Sequence, residues 1–179
     1  MSISQQSLRF ATPAELAEAM QQARSSSLHL FDCFVDVQNN RLVTPPRWEF
    51  CQPPLWQLGY ISWFWEWFVL RDAETSHPAS AVRSSLLSRG DDWFAANTVA
   101  HASRWSLDLP SSGAIKTYCR EILDRCLDKL SRTANHDASL YPFRLALAHE
   151  DMLAENSLCV IQALGLPAPA RYRANGVYT

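Results

Sequence analysis

His149 is the residue whose surroundings come nearest to a metal site. It lies in the segment LALAHEDMLAEN, with Glu150 and Asp151 directly after it. Two ligands for one cation on a helix stand four residues apart, because that spacing places both side chains on the same face. Position 153 holds leucine instead. The spacing by itself therefore favours a hydrogen-bonded histidine in the core or in a groove over a metal ligand.

Other kinds of catalysis leave no pattern in this sequence. No G-x-S-x-G motif marks a nucleophilic serine, and the cysteines stand in no recognisable catalytic context. Adjacent carboxylates such as Asp91 and Asp92 diverge on a helix, so we interpret them as solvated helix caps. The pair Arg104–Trp105 could place a cation on an aromatic ring or could bind an anion, and the sequence does not decide between the two.

The composition favours one globular domain that binds neither nucleic acid nor a membrane. The chain has 179 residues, 47% of them hydrophobic, and its 16 Lys and Arg against 18 Asp and Glu give a net charge of −2. Binding to a phosphate backbone needs a surplus of cations, which this composition does not provide. The apolar run Leu55–Leu70 is too short and too polar to span a bilayer.

The five cysteines indicate a reducing compartment. They form no C-x-x-C pair, their number is odd, and the first ten residues do not resemble a signal peptide. We therefore expect reduced, mostly buried thiols in a cytoplasmic protein.

The first two helices are predicted from capping and proline signals. A capping box formed by Thr12 and Glu15 starts a helix at Pro13, and helical spacing of apolar residues continues to Asn39. The second helix opens at the Pro-Pro pair that begins with Pro53. Because this second helix is apolar on nearly all sides, we expect it to lie in the centre of the protein.

A long connection separates the second helix from the third. It runs from Asp72 to Pro110, and its composition predicts turns of helix at Ala81–Leu87 and near Asp92–Asn97. A connection of this length is typical of a crossover between helices that run in the same direction.

Two further helices complete the predicted architecture. Ser111 or Ser112 caps the third helix, and the fourth begins at Asp137 or near Tyr141, since a proline at position 142 interrupts an earlier start. Gly165 ends the fourth helix. We therefore predict an all-α protein, a four-helix bundle with a long crossover between helices 2 and 3.

Several segments of the chain resemble a known family. CQPPLWQLGYISWFWEWFVLR is similar to the N-P-P-L-W-E-L-G-H-x-x-W-F-x-E-W segment of DinB-like domains in ergothioneine and selenoneine synthases, the EgtB-type non-haem iron enzymes. VAHASRWSLDLP, LYPFRLALAHEDMLAEN and LGLPAPA resemble later blocks of the same domain, in the same order. The resemblance implies a DinB-like four-helix domain over residues 1–170 and a C-terminal tail over residues 171–179.

The resemblance also implies a function and a set of ligands. In that family three histidines bind iron, one from the L-G-H and two from an H-E-x-M-H, and the iron activates dioxygen to join sulfur or selenium to a trimethylated histidine. Position by position, this chain retains His149 but has Tyr60 and Leu153 at the other two places. Leucine has no lone pair, and neutral tyrosine is a poor ligand for ferrous iron. We therefore expect no metal, or weakly bound metal.

The family places a second, formylglycine-generating-enzyme-like domain after the DinB-like one, and this sequence stops where that domain would start. We therefore expect a stand-alone domain that is inactive by itself and acts as a binding or scaffold protein and not as an enzyme. Its expected groove is lined by Tyr60, His149, Leu153 and Trp56.

Two alternatives stay open. In the first, a rearranged site holds a metal through His149 and Tyr60 with Glu150 or His101, and Arg104 also lies near the groove. In the second, the chain is one subunit of a split synthase whose catalytic domain is supplied in trans, and a homodimer is a further option for the partner.

Overall fold

The computed structural model describes residues 10–39, 41–71, 83–169 and Tyr172. Over these residues the protein is mostly helical, which confirms the all-α class. The α-helices are α1 Pro13–Asp32, α2 Pro54–Trp65, α3 Gly90–Phe94, α4 Ser112–Ser131 and α5 Asp137–Ala163. A π-helix, Glu66–Leu70, continues α2, and a 3-10 helix spans His101–Trp105. Two short antiparallel strands, β1 Val35–Asp36 and β2 Arg41–Leu42, form a hairpin after α1.

Capping interactions lie where the sequence predicts at the start of α1, the start of α4 and the end of α5. The Thr12 and Glu15 side chains form the capping box of α1, and the Ser111 side chain accepts a hydrogen bond from the Ala114 N–H at the start of α4. After α5, Gly165 has φ +65°, which favours glycine, and the Gly165 N–H donates to the carbonyl of Gln162. These three predictions are confirmed.

Helix α1 is shorter than predicted. It ends at Asp32 instead of continuing to Asn39, because the chain turns into the hairpin. The Asp36 carboxylate accepts hydrogen bonds from the backbone N–H groups of Gln38 and Asn39 and from the Asn39 side chain. A short acidic side chain that bonds its own backbone in this way stabilises a turn in competition with a helix.

The connection between α2 and α4 also differs from the prediction. Residues 83–87 are not helical, since the Glu66 carboxylate accepts hydrogen bonds from the Ser85 hydroxyl and the Leu86 N–H. Residues 81 and 82 lie outside the described part of the chain. Helix α3 ends at Phe94, before the predicted Asn97, and the 3-10 helix follows it. The predicted tail, residues 171–179, lies outside the described residues except for Tyr172.

Helix α5 begins at Asp137, the earlier of the two predicted starts, and Pro142 lies inside it. Among the described helices, α1 and α2 each contact both α4 and α5. The π-helix packs on α4 and α5 as well, and α3 packs on α2. A Cβ atom on Gly59 would lie 2.3 Å from Cζ of Phe94, so this glycine lets α3 approach α2 closely.

No helix within the described residues combines the length and the hydrophobicity that a membrane span requires. Of the cysteines, Cys51, Cys119 and Cys126 are buried, whereas Cys159 is exposed.

A buried ion pair lies where the long helices meet. Nε and Nη2 of Arg24 donate to the two carboxylate oxygens of Glu150 at 3.0 and 3.1 Å. The same carboxylate accepts from the Ser27 hydroxyl at 2.8 Å and from Nε1 of Trp65 at 2.7 Å. Arg24 and Glu150 are 2% and 1% exposed, so every polar atom of the pair depends on partners inside the protein.

We expect Glu150→Gln to lower the free energy of unfolding by about 3–5 kcal/mol, because it leaves the buried Arg24 charge uncompensated. The amide oxygen of glutamine can still accept a hydrogen bond from Trp65. The decrease in the free energy of unfolding therefore reflects the lost negative charge more than lost hydrogen bonds. The double variant Arg24→Met/Glu150→Gln is expected to lose less than the sum of the two single changes, measured by urea unfolding. Additive losses would mean that the pair is not energetically coupled.

Candidate functional site

Helices α2 and α5 bring together two of the three positions that the resemblance assigns to metal ligands. The Tyr60 ring on α2 and the His149 imidazole on α5 lie 5.1 Å apart between centroids, edge to face at 84°. The imidazole also stacks on Phe64, one turn after Tyr60, at 3.6 Å and 6°. His149 is therefore held between two aromatic rings of α2.

The third position lies in the adjoining core. Leu153 is 8% exposed and belongs to the same apolar cluster against which Tyr60 and Phe64 pack. Its backbone carbonyl accepts a hydrogen bond from Nε2 of Gln57 at 2.9 Å, which joins this turn of α5 to the start of α2. Tyr60 and His149 thus meet at one α2–α5 contact, and the apolar Leu153 lies one helical turn after His149 in the adjoining core.

Both titratable groups of this contact are neutral at pH 7. Burial lowers the pKa of His149 to about 4, and the buried Nδ1 atom has no hydrogen-bond partner within the described residues. Burial raises the pKa of Tyr60, an effect that the positive charge of Arg104 partly offsets. A protonated phenol and a neutral imidazole offer one good metal ligand between them.

Arg104 and Trp56 form the neighbouring layer. The Arg104 guanidinium lies 4.1 Å from the centroid of the Trp56 ring, and the Tyr60 ring stacks on the same tryptophan with its centroid 4.8 Å away. The guanidinium also donates to the carbonyls of Ala96 and Val99. The cation that the sequence placed beside Trp105 therefore contacts a different tryptophan and anchors the connection between α2 and α4.

Glu150 and Trp56 do not line a surface groove, which corrects the expectation for these two residues. Trp56 is fully buried, and its Nε1 donates to the Trp93 carbonyl at 2.7 Å. The Glu150 carboxylate is occupied by Arg24 and its neighbours. The reason is the helical rotation of about 100° per residue, which turns Glu150 into the core while His149 faces α2.

His101 does not join His149. Its Nε2 lies 2.9 Å from the Cys51 carbonyl oxygen, and its ring contacts Trp105 edge to face at 5.1 Å. Across residues 10–39, 41–71 and 83–169, no group of three or more His, Cys, Asp or Glu side chains is placed to hold a metal ion. The residues present at the α2–α5 contact therefore do not fit a three-ligand iron site.

One residue of the site was not singled out from the sequence. Phe64 stacks on His149, and its position four residues after Tyr60 is the signal that would have found it. On another face of α5, burial and the nearby Glu150 and Glu155 raise the pKa of Asp151 to about 6.

No protein-family model matches this chain, and no curated protein is significantly similar to it. What the α2–α5 contact can do chemically therefore follows from its own side chains. They provide an aromatic surface with one unpaired imidazole nitrogen and no fixed charge.

We expect Leu153→His to lower the free energy of unfolding of the metal-free protein by about 1–3 kcal/mol, because it buries a polar ring in an apolar cluster. The matched control is Met152→His, one residue earlier on the same helix, where the side chain is 55% exposed. That change is expected to stay within about 0.5 kcal/mol of the parent in urea unfolding. Equal effects of the two substitutions would show that position 153 is open to water.

The pKa values of His149 and Asp151 predict opposing pH dependences. The pKa of His149 is lower in the folded protein than in the unfolded chain. The neutral imidazole therefore makes its full contribution to the free energy of unfolding above pH 6.5, and this contribution is lost as the pH falls toward 4. The folded pKa of Asp151 lies above its unfolded value, so protonation of Asp151 adds stability as the pH falls from about 6 toward 4.

We therefore expect His149→Phe to gain stability relative to the parent as the pH is lowered from 6.5 to 4, by up to about 1.4 kcal/mol per pH unit. Asp151→Asn should lose stability relative to the parent over the same pH range, because it removes the carboxyl group whose protonation offsets the effect of His149. Urea unfolding at pH 4, 5, 6 and 7 measures both. Parallel profiles of His149→Phe and the parent would contradict a buried, neutral imidazole.

Proposed function

We propose that this protein is a DinB-like four-helix bundle related to the iron-binding half of EgtB-type ergothioneine and selenoneine synthases. In this proposal the iron site has been replaced by an aromatic and apolar contact, and the domain acts as a non-catalytic binding module. The observation that carries the proposal is the contact of Tyr60 with His149, with Leu153 one helical turn after His149 in the adjoining core. Sequence-distant positions that the resemblance assigns to one metal site lie side by side.

The packing of the helices supports the bundle. Contacts of α1 and α2 with both α4 and α5 are the pattern of two helix pairs that surround a common core. The long stretch between the π-helix and α4 has the length that a crossover between parallel helices needs. The DinB-like topology is the member of this class that the sequence motifs favour.

The chemistry of the three positions supports the loss of the iron site. Leu153 offers no lone pair, and the phenol of Tyr60 stays protonated at neutral pH because burial raises its pKa. His149 alone cannot provide the affinity of a three-histidine facial site. The rearranged metal site gains no support, since Glu150 is bound to Arg24 and His101 to Cys51.

The surface next to His149 favours a protein partner. Tyr60, Phe64 and Phe68 form a half-buried aromatic row along α2 and the π-helix, and the exposed Met152 lies one turn from His149 on α5. Half-exposed aromatic and methionine side chains are enriched where proteins bind one another. A catalytic domain of the formylglycine-generating-enzyme type, supplied in trans, is the partner that the resemblance favours, and a second copy of this chain is the alternative.

The proposal is tested by rebuilding the iron site. We expect the double variant Tyr60→His/Leu153→His to bind close to one equivalent of ferrous iron under nitrogen, because it completes three histidines with His149. The parent is expected to take up none. Elemental analysis after desalting and a ferrous iron titration measure both, with circular dichroism to verify folding.

The matched control is Tyr60→His/Met152→His, which also adds two histidines but places one of them on an exposed position. It should bind no stoichiometric iron. A folded Tyr60→His/Leu153→His variant without iron uptake would refute the assignment of these positions. If the parent bound one equivalent of iron and His149→Ala lost it, the proposed loss of the iron site would be refuted. An enzymatic function would then be supported.

A further inference from the structure

We propose that two copies of this chain associate through the outward face of α5, with the two helices antiparallel about a two-fold axis. The face consists of Tyr141, Leu145, Ala148 and Met152, here called the outward stripe. Of the two partners named for the binding module, this face favours a second copy. The inference rests on the proposed function only in treating the chain as a binding module, because the contact itself follows from the residues of α5.

The outward stripe repeats with the period of a seam between two helices. Its members stand at i, i+4, i+7 and i+11, and Glu155 and Cys159 continue the same spacing. From Tyr141 to Cys159, every exposed residue of α5 lies on this line. An alternation of four and three residues keeps side chains on one side of a helix, and two helices that pack along each other use this pattern.

The side chains of the outward stripe take no part in the core of their own chain. None of them belongs to the three hydrophobic clusters that the described residues form. Tyr141 is 60% exposed and Met152 is 55% exposed, and Ala148 is exposed as well. Contiguous uncharged side chains that remain exposed in this way are typical of a contact with another protein.

The outward face of α4 shows that such a stripe is not a general property of the long helices. Between positions 120 and 128 of α4, all exposed residues are charged, namely Arg120, Glu121, Asp124, Arg125 and Asp128. A charged face of this kind is the ordinary solvent side of an amphipathic helix. The first half of α5 is apolar toward the core and also toward the outside, which is the pattern of a helix that is covered on both sides.

The sizes of the side chains favour an antiparallel second copy. Ala148 is a small residue between Leu145 and Met152, so a partner helix can approach closely at its level. In an antiparallel pair, Leu145 of one copy lies opposite Ala148 of the other, and Tyr141 lies opposite Met152. Because a two-fold axis repeats each pair, a single arrangement covers all four side chains of both copies.

The charges beside the stripe are complementary only when the helices run in opposite directions. Burial and the neighbouring Glu150 and Glu155 raise the pKa of Asp151 to about 6, and no cation among the described residues offsets this rise. Arg144 lies on the same flank, and its ion-pair partner, Asp137, is 87% exposed, so that pair contributes little. Antiparallel packing brings Arg144 of each copy next to Asp151 of the other, whereas parallel packing would place the two Glu155 carboxylates against each other.

The length of the stripe limits the strength of the contact. From Tyr141 to Met152 it covers less than two heptads, whereas a sustained coiled coil has roughly three or more. We therefore expect a reversible dimer that dissociates on dilution, so unfolding measured in dilute solution reports on the single chain.

Sedimentation equilibrium over a range of protein concentrations tests the proposal. We expect a monomer–dimer equilibrium for the parent and at least about tenfold weaker dimerisation for Ala148→Glu, because this change buries a charge against Leu145 of the partner copy. Position 148 is exposed in the single chain, and circular dichroism verifies that the variant is folded. The matched control is Ala114→Glu, the same change at an exposed position of α4, which should dimerise like the parent.

An exchange of charges tests the antiparallel arrangement. Arg144→Glu and Asp151→Lys each place like charges at both contacts of a homodimer, so each variant alone should dimerise at least about tenfold more weakly than the parent. When the two folded variants are mixed in equal amounts, a heterodimer joins opposite charges at both contacts. The dimer should therefore reappear in the mixture.

A parent that stays monomeric at all concentrations would overturn the proposal. Equal dimerisation of Ala148→Glu and the parent would overturn it as well, because the contact would then lie on another surface. A mixture of the two charge variants that stays monomeric would contradict the antiparallel arrangement. Iron uptake is measured on Tyr60→His/Leu153→His, so the proposed loss of the iron site and the proposed dimer can fail separately.

Discussion

The buried Arg24–Glu150 ion pair is the interaction on which the arrangement of the helices depends. One guanidinium on α1 bonds Glu150 on α5, the Ser62 hydroxyl on α2 and the Cys119 carbonyl on α4. Removing two charges from water is costly, and the cost is recovered only when every donor and acceptor is satisfied. Any shift of one helix relative to the others would leave one of these atoms unpaired, so the pair restricts how the helices can pack.

The same interaction determines what α5 presents to α2. Because Glu150 must face Arg24, the helical rotation directs His149 toward Tyr60 and Phe64 and places Leu153 in the core one turn later. The side chains around the His149 imidazole are therefore aromatic or apolar. Burial without a charge partner also explains why the pKa of His149 falls to about 4.

The protein thus separates its polar chemistry into distinct places. Charges at the centre, Arg24 and Glu150, are fully paired and contribute to the fold. Beside the π-helix, Arg71 is paired in the same way with Asp91. The aromatic row beside His149, without fixed charge, is suited to contact with another protein.

The sequence by itself determined the elements whose signals are local. The capping box at Thr12, the helix stop at Gly165 and the N-cap of α4 at Ser111 depend on residues within a few positions of one another, and all were predicted correctly. The predicted end of α1 was wrong, since the residues after Asp32 form a hairpin. The Asp36 carboxylate accepts hydrogen bonds from the backbone of its own turn, and this turn competes with a weak helical pattern. The candidate site was predicted only as a set of positions taken from a resemblance.

Only the tertiary structure decided which of those positions share a site. Arg24 looks in the sequence like an ordinary arginine of an amphipathic helix, yet it is the partner of Glu150, which lies 126 residues away in the chain. Spacing along α5 shows that Glu150 turns away from His149, but it does not show what either residue meets. Partners on other helices depend on how the elements pack. Burial, pKa values and cavities arise from that packing, so they were fixed only when the helices came together.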